Sequence, residues 1–101
     1  MLQQLANYQH VKKINKSTEA TVGTTSIEVF GLNYTRRILI IQNHHASAKL
    51  AFNYTDAAAV GTAGSITIGP GELMSFSVGV SVEQVNMISD TASTPFTAWE
   101  A

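Results

Sequence analysis

The residues with chemical potential are few: three histidines, two aspartates, five glutamates and nine serines in a chain of 101. His44 and His45 are adjacent in "RRILIIQNHHASAKLAFNY", residues 36–54, and the remaining histidine is His10. On a strand, neighbouring side chains point to opposite faces, so His44 and His45 cannot share a metal from there. In a turn they could converge, but a zinc-type site still needs further histidine or carboxylate ligands. Asp56 is twelve residues downstream of His44 and opens an Ala-rich segment. The simpler reading of "NHHAS" is a polar connection after an apolar strand, with Asn43 supplying turn geometry. No serine sits in a G-x-S-x-G elbow. The acids are scattered singly and form no obvious acid–base pair. The glycines of "VGTAGS" and "IGPGE" precede no helix that could hold a phosphate. No catalytic residue, metal site or cofactor follows from these residues, and the chain is expected not to be an enzyme.

The elements that would position such residues have a period of two. "TRRILIIQN" places Ile38 and Ile40 on one face and Leu39 and Ile41 on the other, and so predicts a strand buried on both sides. "AKLAFNYT" alternates Leu50, Phe52 and Tyr54 with small or polar residues, as in a half-buried strand. "SITI", "ELMSFSV", "EQVNMIS" and "PFTAWE" follow, with "EATVG" and "SIEVFG" earlier. Pro70 and Gly71 suit positions i+1 and i+2 of a type II turn, which predicts a hairpin over residues 65–78. "TDAAAVGTAGS" reads as a flexible loop. Seven to nine strands at this spacing predict an all-β fold: an antiparallel β-sandwich, of which the jelly roll is one form. Residues 18–101 would form this single domain. Residues 1–17, with Leu2, Leu5 and Tyr8 at helix-like spacing, would form a short N-terminal arm.

Charged residues are 13% of the chain, about half the usual ~25%, while Ala, Ser and Thr supply 32 residues. Such a surface is easily desolvated by another protein. The net charge of −1 argues against a nucleic-acid binder. All six Lys and Arg lie within Lys12–Lys49, so residues 1–50 carry +4 and residues 51–101 carry −5. That asymmetry could orient a charged partner, unless sheet pairing interleaves the halves. No cysteine is present, which excludes disulfides and thiolate metal sites. No segment has the length or apolarity of a membrane span or secretory signal, so synthesis in a cytosol and no membrane partner are expected. Arg36 and Arg37 lead the apolar strand, and at least one should snorkel or pair with an acid such as Glu72 or Glu100.

The order of these elements carries a resemblance. An Arg-led strand, Arg37 to Asn43, is followed by Leu50–Tyr54, a small-residue loop, "SITIGPGELMSFS" and a last strand ending in an aromatic and an acid. Over about residues 31–100 this resembles a group of small tailed-bacteriophage virion proteins of the capsid decoration (cement) type. The resemblance implies a homodimer or homotrimer on the capsid exterior, made in the host cytoplasm, that binds the major capsid protein and stabilises its shell. It carries over no catalytic residue. The candidate interface comprises Leu2, Leu5, Tyr8, Tyr34, Arg36, Val60 and Trp99. The alternative is a carbohydrate- or receptor-binding module of a phage tail or fibre, in which Trp99, Phe96, Tyr54, Phe52 and Phe76 would stack on a glycan.

Overall fold

The computed structural model describes residues 16–101, which form eight strands and no helix. Residues 1–15 of the proposed arm, and with them Leu2, Leu5 and Tyr8, lie outside the described residues, while its last two, Lys16 and Ser17, belong to the first strand. The strands are β1 (Lys16–Val22), β2 (Ile27–Phe30), β3 (Leu39–Asn43), β4 (Leu50–Tyr54), β5 (Ile66–Ile68), β6 (Leu73–Phe76), β7 (Val85–Ser89) and β8 (Thr94–Glu100). They make two four-stranded sheets, sheet I in the order β1-β8-β3-β6 and sheet II in the order β2-β7-β4-β5. Every pairing is antiparallel. This alternation of strands between two sheets is the order of an eight-stranded jelly roll.

Sequence alternation maps directly onto the layers. Leu39 and Ile41 of β3 lie opposite Glu100 and Ala98 of β8, respectively, and face inward with Phe96. Sheet II answers with Leu50 and Phe52 of β4, Val85 and Met87 of β7, Ile68 of β5 and Phe30 of β2. All of these are buried, and each large side chain withdrawn from water contributes roughly 1.5–3 kcal/mol. Phe52 is the centre of an aromatic set, with edge contacts to Phe76 at 5.9 Å and to Tyr54 at 5.8 Å between ring centroids. Phe96 and Trp99 of β8 face opposite ways, as do Met87 and Ile88 of β7, in keeping with the period of two.

Three expectations need correction. Residues 65–78 are not a hairpin. The turn is as expected: Pro70 and Gly71 occupy its centre, Gly71 has φ +72°, and the Glu72 amide donates to the Gly69 carbonyl at 3.1 Å. The strands it joins nevertheless go to different sheets, β5 to β4 and β6 to β3. A tight turn reverses the chain locally, but the partner of each strand is chosen by the core it must cover. Second, β3 is not buried equally on both sides: Leu39 and Ile41 are fully buried, while Ile40 is only half-buried on the outer face. Third, the segment 55–65 is not a free loop. It joins β4 to β5 and is pinned to the outer face of sheet II. Asn86 donates to the carbonyls of Thr55 and Asp56, at 3.2 and 2.7 Å. The Ala58 amide bonds Ser26 Oγ at 2.9 Å and the Gly61 amide bonds Thr67 Oγ1 at 3.2 Å. Ala58 and Ala51 are consequently buried.

The loop begins with a strained residue. Thr55 has φ +68°, in the left-handed region that β-branched residues avoid. Its amide bond to the Gln84 carbonyl, at 2.9 Å, holds it there. Thr55→Asn is expected to raise the thermal midpoint, with a gain of about 0.5–1 kcal/mol, because Asn tolerates this conformation far better. Calorimetry reads the change directly.

Sheet pairing also interleaves the charge. Each pairing in sheet I sets a strand from the basic half of the chain against one from the acidic half. In sheet I the two halves of the chain are therefore neighbours.

Candidate functional site

Arg36 is the organising residue at one end of the sandwich. Asn33 Oδ1 accepts from the Thr35 amide at 3.1 Å and from its hydroxyl at 2.9 Å, forming a local Asx turn. The Arg36 amide then closes on the Asn33 carbonyl at 3.1 Å. This turn sends the guanidinium inward, where its side chain is fully buried. Nε donates to Glu100 Oε1 at 2.8 Å, and Nη2 donates to the Gly31 carbonyl at 3.0 Å. Nη1 donates to the carbonyls of Ser81 and Glu83, at 2.9 and 2.7 Å. Asn33 Nδ2 adds a second donor to the same Glu100 oxygen at 3.2 Å. The guanidinium carbon lies 6.0 Å from the Phe30 ring centroid, within cation–π range.

One side chain thus ties the β2–β3 loop, the β6–β7 loop and the end of β8 together. The expectation of an acid partner is met by Glu100. Glu72 instead accepts from the Gly69 amide at 2.5 Å, inside its own turn. Arg36 was also a candidate interface residue, and here the structure corrects the expectation. It is 3% exposed and makes four hydrogen bonds inside the domain, which leaves little surface for a partner. The neighbours of the guanidinium are protein groups, so the cluster positions loops.

The histidines occupy a second polar cluster. Asn43 is fully buried and its side chain scaffolds the β3–β4 turn. Nδ2 donates to the carbonyls of Ala48, Ile68 and Gly69 at 2.8, 3.2 and 3.1 Å, and Oδ1 accepts from the His45 amide at 2.9 Å. His45 Nδ1 accepts from the amides of Ser47 and Ala48, at 3.0 and 2.9 Å. Two donors on Nδ1 leave the ring proton on Nε2. His44 points elsewhere and pairs with Thr97 Oγ1 at 2.8 Å. Among the described residues, no three His, Cys, Asp or Glu side chains come close enough to hold a metal. The turn ends where the Asp90 carboxylate receives the Lys49 amide at 3.0 Å. That bond, with help from the Thr91 hydroxyl, holds the Asp90 carboxyl below its ordinary value.

The histidines therefore shape a turn, and their replacement has modest effects. His45→Ala removes an acceptor for two amides, of which that of Ser47 is in an exposed bond and that of Ala48 in a part-buried one, and should cost about 1 kcal/mol. His44→Ala should stay within about 0.5 kcal/mol of the parent. Chemical denaturation of the two variants separates these values.

The remaining candidates are dispersed. Tyr34 is 80% exposed on the β2–β3 loop and Trp99 is 37% exposed on the outer face of sheet I. Val60 is half-buried in the loop over sheet II, on the opposite side of the sandwich from Trp99. The aromatics that would form a glycan platform are mostly interior: Phe52 and Phe96 are buried, and Phe76 and Tyr54 pack against the core. The structure adds Leu32, Leu73 and Val78 as large exposed apolar side chains, at 51%, 53% and 91%. Val78 escaped sequence reasoning because it continues the alternation of Met74 and Phe76, while the ladder to β3 ends at Phe76.

No protein-family model matches the chain, and no curated protein sequence matches it. Among solved structures, a chain of the Bacillus endospore appendages, a novel family of disulfide-linked pili, aligns with a TM-score of 0.52. The alignment covers 83% of this chain and 77% of that one, at 16% sequence identity. At that identity the likeness is one of fold: this β-sandwich is built like a chain of those pili.

Proposed function

We propose that the protein is a non-catalytic structural subunit that joins sister copies and a larger protein assembly through the surfaces of its β-sandwich. The observation that carries this reading is where the exposed apolar side chains lie. Leu32, Tyr34, Leu73, Val78 and Trp99 are exposed on a chain that is poor in charge. Such a distribution suits flat contacts with other proteins. The described residues show two polar clusters, and both consume their hydrogen bonds internally. The fold likeness to a chain from an assembled pilus supports the same class of role. Those pili are disulfide-linked, whereas this chain has no cysteine, so its contacts would form without disulfides.

The specific form of this proposal is a capsid decoration protein on the exterior of a phage head, as the sequence resemblance implies. Its partners would be the major capsid protein and sister subunits. The test is to mix the purified chain with empty shells of the major capsid protein encoded nearest its gene. Saturable co-sedimentation, with a raised melting temperature of the shell, is expected. Shells that pellet without the chain would contradict the decoration role. Binding on an array of host-surface glycans would instead favour the tail or fibre module.

A further inference from the structure

We infer that the free edge of β6 pairs with the β6 of a second copy, extending sheet I across a two-fold axis into one eight-stranded sheet. This rests on the structural-subunit reading above and names the contact that it requires.

An exposed strand edge is a template for another strand, and folded proteins ordinarily blunt it with charge, proline, a bulge, brevity or a cover. Three of the four edges here have such a device. β1 carries Lys16 and Glu19. β2 carries Glu28 and a register shift between Glu28 and Phe30. β5 is three residues long, and the 55–65 loop reaches it through the Gly61 amide and Thr67. β6 has none. From Leu73 to Val82 the chain has no charged residue and no proline. Among the described residues its ladder runs to β3 alone.

The side chains point to the same occupant. Met74 and Phe76 face the core but remain half-buried, packed against it from the open side. Leu73 is exposed on the outer face and Ile66 is 37% exposed on the neighbouring edge of sheet II. An antiparallel copy centred on Ser75 sets Met74 opposite the Phe76 of its partner, twice, on the core face. It also sets Leu73 opposite Ser77 on the outer face. Cross-strand pairs of this kind are the stabilising unit of a sheet, and a sulfur–aromatic contact suits Met74 and Phe76. An uncharged strand meets its own copy without repulsion, and such an isologous two-fold contact closes on itself.

The absence of cysteine makes the register readable. In the proposed pairing the two Ser75 positions are cross-strand neighbours, about 4.5–5.5 Å apart between Cβ atoms. Ser75→Cys should therefore form a disulfide-linked dimer under mild oxidation, much faster than Ser47→Cys in the exposed β3–β4 turn. Ser75→Lys, at an exposed position, should keep the parent melting temperature yet lose the dimer by light scattering at ~100 μM, well above a micromolar dissociation constant. Equal cross-linking of the two cysteine variants, or a Ser75→Lys protein that keeps the parent mass, would overturn the pairing while leaving the structural-subunit reading intact. A parent chain that binds shells but stays monomeric would do the same. A parent chain that neither self-associates nor binds shells would remove both.

Discussion

Replacing Arg36 with alanine should lower stability by about 3–5 kcal/mol, the usual cost of leaving a buried charge without its partner. Glu100 would keep only the Asn33 amide as a donor, and the carbonyls of Gly31, Ser81 and Glu83 would lose theirs. For a domain of this length the loss corresponds to a fall in melting temperature of about 12 °C or more. It also approaches the whole stability of a marginal fold. The double variant Arg36→Met, Glu100→Gln should recover part of the loss, since it removes both charges and keeps the volume. Arg36→Lys should recover little, because a single ammonium cannot reach Glu100 and three carbonyls in the geometry of the guanidinium fork. Denaturant titration of the parent and the three variants compares these losses. If Arg36→Ala changes stability by less than ~1 kcal/mol, as for an exposed pair, the cluster is not what holds the two loops.

The second large effect is expected at Asn43. Asn43→Ala strands the carbonyls of Ala48, Ile68 and Gly69 and the His45 amide around a fully buried side chain. The expected cost is about 2–4 kcal/mol, with each unmet buried group contributing. Asn43→Asp keeps the shape and exchanges the donor for a carboxylate facing three carbonyl oxygens. That variant should be worse than Ala at pH 7 and should improve on acidification. The charged form is disfavoured in the fold, so the folded pKa rises above the unfolded value of about 3.9. Stability is then fullest below that unfolded value and falls as pH climbs through the folded one. A variant insensitive to pH between 4 and 7 would mean the carboxylate has found solvent.

The layers of this fold were legible because burial writes a period of two into strands. Leu39 and Ile41, Leu50 and Phe52, Val85 and Met87 all lie where alternation puts them. For Arg36 and Arg37, which lead an apolar strand, the sequence offered snorkelling or pairing with an acid such as Glu72 or Glu100, and Arg36 meets Glu100. Sheet membership was not legible. The Pro70–Gly71 turn looks the same whether its strands pair with each other or part company, and only the covering of Phe52 and Ile41 decides. Nor was the covering of sheet II by residues 55–65, since Ala, Gly and Thr mark a loop without saying what lies beneath it. Asn43 was assigned to turn geometry from its type, but its three carbonyl partners come from residues up to 26 positions away. The histidines drew attention through their chemistry, yet their surroundings make them parts of a turn.

The central claim is that this β-sandwich is an assembly subunit. Light scattering of the purified full chain, alone and with empty capsid shells, tests it most directly. The account predicts a discrete oligomer in solution and transfer of that mass onto the shells until a fixed ratio is reached. A strict monomer at every concentration, with no affinity for the shells, would contradict it.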